Sequence, residues 1–317
     1  MKHVPFFPKS SAAPLLLLAA VAALSLPAIA ADKGKRPLLP APFLNHHGAP
    51  AKANAHSSSV TTINIPGAEL SYAFGVNNKG EIVGYWYDDQ FNTHGYLLSG
   101  GKITTIDLPN TLGMATTGIN DQGIIVGTFA DEVVTVIHGF LFYRGQFALL
   151  DYPGAFATTP TAINDAGDVV GYYQIKDDPN SPFIGFLWSK GTFTTFSVPG
   201  SVYTFPAGIN DKGDIVGGWY DQNNSHAFLL SKGVYTTLDP PGAFSAIAGG
   251  INSSGKILLA ATLNEISELF IYSDGAYQPI TVPDADLYIP GSINSRGEIT
   301  GAYAFPTTSP AAFVLKP

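Results

Sequence analysis

The chain has 317 residues, of which 45% are hydrophobic, 12% aromatic and 13% charged, and its formal net charge is −8. This composition excludes an intrinsically disordered protein, because low charge together with many aromatic residues allows a core to be buried. The acidic balance argues against nucleic-acid or anionic lipid partners, and the lack of cysteine excludes disulfides, thiol nucleophiles and Cys-ligated zinc.

The N-terminus has the pattern of an export signal. Lys2 and Lys9 flank the start of a segment whose apolar run covers residues 15–26, and Ala28-Ile29-Ala30 provides a small-x-small cleavage site. The run is shorter than the roughly 20 residues that a membrane-spanning helix needs. We therefore expect residues 1–30 to be a cleaved signal peptide, with the mature chain secreted or periplasmic and not inserted in a membrane.

The next segment, residues 31–57, is rich in Pro and Ala and shows no apolar period. We expect it to be a disordered or extended linker. Cleavage after residue 30 would remove two of the 16 basic residues and none of the 24 acidic ones, so the mature formal charge would be 14 − 24 = −10.

Residues 58–317 contain six repeats, each marked by an asparagine that is followed three residues later by a glycine and preceded eleven residues earlier by a proline. The asparagines, spaced 43, 44, 46, 42 and 42 residues apart, are Asn77, Asn120, Asn164, Asn210, Asn252 and Asn294. This period is typical of a four-stranded propeller blade. Inside each repeat we predict antiparallel strands a to d, with tight glycine turns between a and b and between c and d.

The two ends of the repeat region predict how it closes. The sixth repeat ends after strand c, whereas residues 60–67 match strand d of the other repeats, such as residues 103–109. We therefore predict an all-β fold, a six-bladed β-propeller whose N-terminal strand completes the last blade, which leaves no long free sheet edge. An open solenoid is the alternative, but a solenoid would be expected to have capping units.

Strand c carries a recurring motif, His226-Ala227-Phe228, with near copies at His94-Gly95-Tyr96 and His138-Gly139-Phe140. Together with the preceding segment 209–217, this motif resembles the bacterial extracellular HAF repeat family over residues 60–317. The resemblance implies an exported repeat protein without an established activity and gives no catalytic residues. Three repeats have Ile184, Glu268 or Ala311 in place of the histidine, so a catalytic or metal-binding role would be missing from half of the blades.

We expect each motif histidine to close its loop through a hydrogen bond to the backbone. A second polar position lies two residues before each marker proline, and we expect its side chains to bond local backbone. These residues are Asn64, Asp107, Asp151, Ser197, Asp239 and Thr281.

We find no Gly-x-Ser-x-Gly elbow, no His-Glu-x-x-His motif and no Asp box of the sialidase type, so no catalytic residue is assigned. Oxygen-rich clusters occur in the b–c loops around Asp88, Asp177 and Asp221. Calcium takes six to eight oxygen ligands, and these clusters lack the EF-hand spacing. We expect solvated turns and no cofactor or metal, with calcium as the alternative.

The antiparallel order places the a–b and c–d turns on one side, the turn face, and the b–c and d–a connections on the other, the loop face. Differences in length and content fall on the loop face, and variation on a rigid scaffold is typical of binding sites. From the d–a connections we predict a ligand-binding set of Tyr72, Met114, Phe156, Tyr203, Phe205, Phe244 and Tyr288.

Three functions are compatible with the sequence. The first, which we favour, is a monomeric, non-catalytic binding module for a polysaccharide or protein ligand at one mouth of the propeller. The second is an extracellular hydrolase or lyase that acts on a carbohydrate or lactone there, since propellers host both classes. The third is a structural or adhesive repeat whose channel is filled by side chains.

Overall fold

The computed structural model describes residues 59–131, 136–177, 181–280, 285, 287–304 and 309–317. The expected signal peptide (1–30) and linker (31–57) lie outside these residues, as do Asp178, Asn180 and Thr281. Within the described ranges, no helix has the length and apolar character needed to span a membrane.

The regular structure in these ranges consists of β-strands, as the repeats predict. The first three complete groups of four are β2(Leu70–Val76), β3(Ile82–Tyr87), β4(Thr93–Ser99) and β5(Lys102–Ile106); β6(Thr111–Ile119), β7(Ile125–Asp131), β8(Ile137–Tyr143) and β9(Gln146–Leu149); and β10(Ala157–Ile163), β11(Val169–Gln174), β12(Ile184–Ser189) and β13(Thr192–Phe196). The next two are β14(Tyr203–Ile209), β15(Ile215–Tyr220), β16(Ser225–Ser231) and β17(Val234–Thr237), and β18(Ser245–Ile251), β19(Ile257–Leu263), β20(Ile266–Ser273) and β21(Ala276–Ile280). In each group neighbouring strands pair antiparallel, and two short parallel contacts join the first three groups into one sheet.

The remaining strands come from both ends of the chain. They are β1(Ser59–Thr62), β22(Leu287–Ile293), β23(Ile299–Ala304) and β24(Ala311–Lys316), which form one four-stranded sheet in the order β1, β24, β23, β22. The pair between the first and last strands is antiparallel, with Val60 opposite Leu315. The first strand therefore takes the strand-d position of the sixth group, which is the pairing that the sequence match predicts.

Both types of turn have the backbone that their glycines predict. In the a–b turn of the first group, the N–H of Gly80 donates to the carbonyl of Asn77 at 3.1 Å, and Gly80 has φ of 79°. In the c–d turn of the second group, Arg144 and Gly145 have φ of 49° and 82°. Two consecutive positive φ angles are the type I′ geometry that suits a twisted hairpin.

The core lies between adjacent groups. One cluster combines Val83 and Ile106 of the first group with Met114 and Phe140 of the second. Another combines Ala312 and Val314 of the sixth group with residues of the first. Each a strand lies beside the a strand of the next group, and β22 lies beside β2, so the a strands border a common central space.

Candidate functional site

The turn-face end of the central space is built from the six marker asparagines, all of them buried. The Nδ2 group of each donates to the backbone carbonyl of the asparagine in the next repeat, at 2.9–3.4 Å, and the donor of Asn294 bonds the carbonyl of Asn77. The Oδ1 atom of each asparagine accepts N–H groups of its own turn, as Asn210 does from Lys212 and Asp214. Each asparagine therefore shapes a turn and joins two repeats.

The residues that follow the asparagines form a second polar ring. The Asp121 N–H donates to Asp165 Oδ1 at 2.8 Å, and the Asp165 N–H donates to Asp211 Oδ1 at 3.0 Å. Burial and the neighbouring carboxylates of Asp121 and Asp211 raise the pKa of Asp165 above its usual value. These polar groups are therefore bonded to one another across the repeats.

The two rings border a cavity of about 80 Å³, which is also lined by Thr117, Thr161 and Ser292. Sites for organic ligands typically measure roughly 300–1,000 Å³, so this cavity suits water or a small ion better than a sugar. It opens on the turn face, the side opposite to the mouth that the sequence analysis favours.

The loop-face end of the central space holds aromatic side chains from the first, third and fourth groups. We call this set the axial aromatic cluster; its members are Tyr72, Phe74, Tyr85, Tyr87, Tyr172, Phe183, Tyr203, Phe205 and Tyr220. In the first group the rings of Tyr72 and Tyr85 lie 4.9 Å apart. In the third and fourth groups the rings of Tyr172 and Phe205 lie 5.2 Å apart.

Burial in the first-group part of the cluster raises the pKa values of its tyrosines. Burial raises the pKa of Tyr85 well above its usual range, and the hydroxyls of Tyr87, Tyr72 and Tyr172 raise it further. Tyr85 and Tyr172 occupy the same position on strand b of their groups, eight residues after the marker asparagine. Burial also raises the pKa values of Tyr72 and Tyr87. Tyr85 is fully buried, whereas Tyr72, Tyr87, Tyr203 and Tyr220 keep part of their surface exposed.

The structure distributes the seven predicted ligand-contacting residues over different environments. Met114, Phe205 and Tyr288 are only 2%, 1% and 6% exposed, because they point into cores between groups or into the axial aromatic cluster. Tyr72, Phe156 and Tyr203 are half-buried, and Phe244 is 48% exposed. Tyr203 and Phe205 contact each other in the cluster, whereas Tyr72 contacts rings of the first group. The contact of these residues with a ligand stays a prediction.

The motif histidines bind aspartate side chains, not the backbone carbonyls or N–H groups that we expected. His94 Nδ1 lies 2.8 Å from Asp107, His138 Nδ1 lies 2.7 Å from Asp151, and His226 Nδ1 lies 2.6 Å from Asp239. Each ring stacks on an aromatic side chain of strand b, as His226 does on Trp219 at 4.4 Å.

The aspartates also bond backbone, in agreement with the expectation for their position. Asp151 Oδ1 accepts the N–H of Gly139, and Asp239 Oδ1 accepts the N–H of Ala227. The sequence contained a signal for the histidine–aspartate pairs. The three repeats with a motif histidine are the three with aspartate two residues before the proline, thirteen positions after the histidine.

In the b–c loops, aspartate carboxylates accept hydrogen bonds from the backbone of their own loop. Asp88 Oδ1 accepts the N–H groups of Gln90 and Asn92, and Asp221 Oδ1 accepts those of Asn223 and Asn224. Although partial burial opposes it, the hydrogen bonds from Asn92 and Gln90 lower the pKa of Asp88. Hydrogen bonds from Asn224 and Asn223 lower the pKa of Asp221.

His94 and His226 each lie between two carboxylates, because Asp88 and Asp221 approach their Nε2 atoms at 3.4 and 3.3 Å. The two carboxylates that contact one histidine therefore lie on opposite edges of its imidazole ring and do not converge on one point. Over the ranges that the structure describes, no three His, Asp or Glu side chains are arranged to hold a metal ion.

No known protein family matches this chain, and no curated protein is significantly similar to it. Solved structures do resemble it. A proposed gluconolactonase has a TM-score of 0.50 at 13% identity, over 83% of this chain and 93% of that chain. The Aleuria aurantia lectin bound to Fucα1-6GlcNAc has a TM-score of 0.51 at 13% identity, over 78% of this chain and 93% of the lectin.

Another structure of this lectin, at a TM-score of 0.49 and 13% identity over 80% of this chain and 93% of the lectin, is described as a six-bladed β-propeller with a novel mode of fucose recognition. The proposed gluconolactonase and the lectin bound to Fucα1-6GlcNAc, with TM-scores of 0.50 and 0.51, are only 13% identical to this chain, so their likeness shows the fold alone. The chain is an all-β protein with the fold of β-propellers. The similar structures include both a lectin and a proposed enzyme, so the fold is compatible with binding and with catalysis.

Proposed function

We propose that this chain is an exported, closed six-bladed β-propeller of the HAF repeat type that binds a glycan at its loop face and has no catalytic activity of its own. The first thirty residues act as the export signal in this proposal, and the mature protein works outside the cytoplasm as a monomer. Recovery from the periplasm or medium with residue 31 at its N-terminus would test the export step.

Three observations support the closed ring. The strand from the N-terminus pairs with β24, and the hydrogen bond from Asn294 to Asn77 repeats between the sixth and first groups the contact found between all others. The hydrophobic cluster shared by these two groups has the same placement as the clusters between other neighbours. A ring of this kind would hold the loop face rigid.

The axial aromatic cluster carries the binding proposal. Tyr72, Tyr87, Tyr203 and Tyr220 present partly exposed rings at one end of the central space, on the face where the loops differ. Aromatic side chains with a polar tip are enriched where proteins bind partners. Such a ring can stack on the C–H face of a sugar while its hydroxyl bonds a sugar hydroxyl. The fold resemblance to a lectin agrees with this use of the scaffold.

The test is titration calorimetry with glycans selected by an array. Tyr203→Ala is expected to weaken binding at least about tenfold, the loss of one well-packed aromatic contact. Tyr143→Ala is the matched control, because Tyr143 is 40% exposed but lies at a c–d turn on the turn face. Melting curves check that both variants fold, and Tyr203→Phe keeps the ring if Tyr203→Ala does not fold. Equal affinities for all variants would refute the site.

The alternative is an extracellular hydrolase or lyase acting on a carbohydrate or lactone. One observation favours it. An aspartate binds one ring nitrogen of each motif histidine, as Asp151 does in His138, and a histidine oriented in this way is often a general base. Turnover of a lactone or polysaccharide that disappears in His138→Gln and persists in Tyr143→Ala would replace the binding proposal with this one.

A further inference from the structure

Charge is distributed unevenly between the two faces. On the loop face, five carboxylates are exposed: Glu69, Asp89, Asp107, Asp177 and Glu265. Six more there are half-buried: Asp88, Asp131, Asp151, Asp221, Asp239 and Glu268. The same described loops contain one Lys or Arg, Lys176.

The turn face has the opposite composition. Its a–b turns carry Lys79, Lys212, Lys256 and Arg296, its c–d turns carry Lys102, Arg144, Lys190 and Lys232, and the last strand ends at Lys316. These nine basic side chains face eight acidic ones in or beside the same turns. The described part of the turn face is therefore near neutrality, and the loop face carries most of the negative charge.

The loop-face carboxylates are balanced mainly by histidine. His94, His138 and His226 are the partners of Asp88, Asp107, Asp151, Asp221 and Asp239 in the ion pairs of this face. Even with all three imidazoles counted as positive, the described loops would carry four cationic groups against eleven carboxylates, so the face keeps a negative field. A surface of this kind attracts cations and repels anions such as uronic acids or sulfated sugars.

A second observation concerns a buried hydroxyl group in the third group of strands. Thr159 is completely buried, and its hydroxyl has no hydrogen-bond partner among the described residues. It stands five residues before the marker asparagine of its repeat, the position that Tyr72 and Phe205 occupy in theirs, and it pairs with Tyr172 across the sheet. Its side chain therefore lies on the same face of the sheet as Tyr172, a member of the axial aromatic cluster. A buried hydroxyl without a partner is costly, and a ligand or its water can bond it.

We propose that the loop face binds a polysaccharide of amino sugars with free, protonated amines; this inference rests on the proposed glycan-binding function and names its ligand class. The exposed tyrosines stack on the sugar rings, and a protonated amine near a tyrosine face also gains a cation–π attraction. The carboxylates around the cluster attract the remaining amines along the chain. A polymer with a repeated positive charge fits a face on which negative charge is spread over several repeats.

The probes are the glucosamine hexamer with all amines free and its fully N-acetylated counterpart, which has the same rings without the charges. Titration calorimetry at a pH at which the amines are protonated is expected to show about tenfold tighter binding of the free-amine hexamer, because several exposed ion pairs of modest strength add up. Raising the salt from about 0.02 M to about 0.15 M is expected to reduce this difference.

The variant Glu69→Gln/Asp89→Asn/Asp177→Asn removes three exposed loop-face charges and is expected to lower the affinity for the free-amine hexamer severalfold, with no effect on its N-acetylated counterpart. Asp274→Asn is the control, because Asp274 is an exposed turn-face carboxylate bonded only to Ser273 among the hydrogen bonds described. Its affinity is expected to match the wild type.

Equal, salt-independent affinity for both hexamers, or binding only to neutral glycans of an array, would overturn this inference and leave the glycan-binding function standing. Failure of every glycan to bind would overturn the glycan-binding function itself. Loss of affinity in Asp274→Asn equal to that in the triple variant would also refute the assignment to the loop face.

Discussion

Replacing Asn294 by alanine tests whether the ring is closed in solution. Asn294 is 4% exposed. Its Nδ2 donates to the carbonyl of Asn77 at 2.9 Å, and its Oδ1 accepts the N–H groups of Arg296 and Glu298, both at 3.0 Å. Each net hydrogen bond contributes about 0.5–1.5 kcal/mol, and buried groups left without a partner cost more. Asn294→Ala is therefore expected to lower the free energy of unfolding by about 2–4 kcal/mol.

The stability loss in Asn294→Ala is to be compared with that in Asn164→Ala, a variant at the same position of an internal repeat. Asn164 makes the same contact to the carbonyl of Asn210 at 3.1 Å and accepts the N–H of Asp168 at 2.9 Å. In a closed ring Asn294→Ala is expected to cost at least as much as Asn164→Ala, because Asn294 also accepts the N–H of Arg296 and donates to Glu298 Oε2. The assay is urea unfolding of the mature protein followed by tyrosine and tryptophan fluorescence, with unchanged slopes as evidence that only stability changes.

The control is Asn223→Ala, an exposed loop asparagine whose side chain takes part in no hydrogen bond described by the structure; its cost is expected to stay under about 0.5 kcal/mol. If Asn294→Ala behaves like this control while Asn164→Ala shows the full loss, the first and sixth groups do not depend on this contact. The closed ring would then be wrong.

Three further predictions concern packing, pairing and pH. Gly127→Ala is expected to destabilise the protein by about 1–3 kcal/mol in urea unfolding, because its Cβ would lie 2.1 Å from the carbonyl oxygen of Ala115; a neutral result would mean that the strands separate easily. A double-mutant cycle of His226→Gln and Asp239→Asn is expected to give a coupling of about 1 kcal/mol, and additive effects would show that the 2.6 Å contact contributes nothing. Although burial opposes it, hydrogen bonds from Arg296 and Asn294 lower the pKa of Glu298, so the stability that Glu298 contributes is present above its unfolded pKa and is lost as pH falls below about 4. Glu298→Gln is therefore expected to be less stable than the wild type at neutral pH and equal to it in acid, and a constant difference across this range would contradict the assignment.

The sequence predicted the strands and turns well because both are local. Alternating apolar residues and glycines at fixed places define a hairpin without reference to other repeats. The match between residues 60–67 and the other d strands also predicted the pairing of β1 with β24. The hydrogen bond from Asn77 Nδ2 to the carbonyl of Asn120, at 3.1 Å, depends on how two repeats pack. No local sequence pattern predicts it.

The candidate site was harder to predict for the same reason. Tyr72, Met114 and Tyr288 occupy similar d–a connections, but the depth of a side chain depends on the size of its neighbours in the adjacent group. Met114 fills a core between groups at 2% exposure, whereas Tyr72 stacks beside Tyr85 and keeps part of its ring exposed. The histidine–aspartate pairs could have been found, since the two residue types occur together in the same three repeats.

Polar residues have different partners on the two faces, and this difference supports the proposed binding face better than the cavity on the turn face does. On the turn face, side chains such as Asn120 and Asp165 bond the neighbouring repeat, so a substitution there that benefits a ligand would weaken the ring. On the loop face, Glu69 and Asp89 are exposed, and the hydroxyl of Thr159, in a strand that starts there, has no hydrogen-bond partner within the described residues. Exposed side chains on that face, such as those of Glu69 and Asp89, can change without loss of the described contacts between repeats, and a binding site can therefore evolve there at little cost in stability.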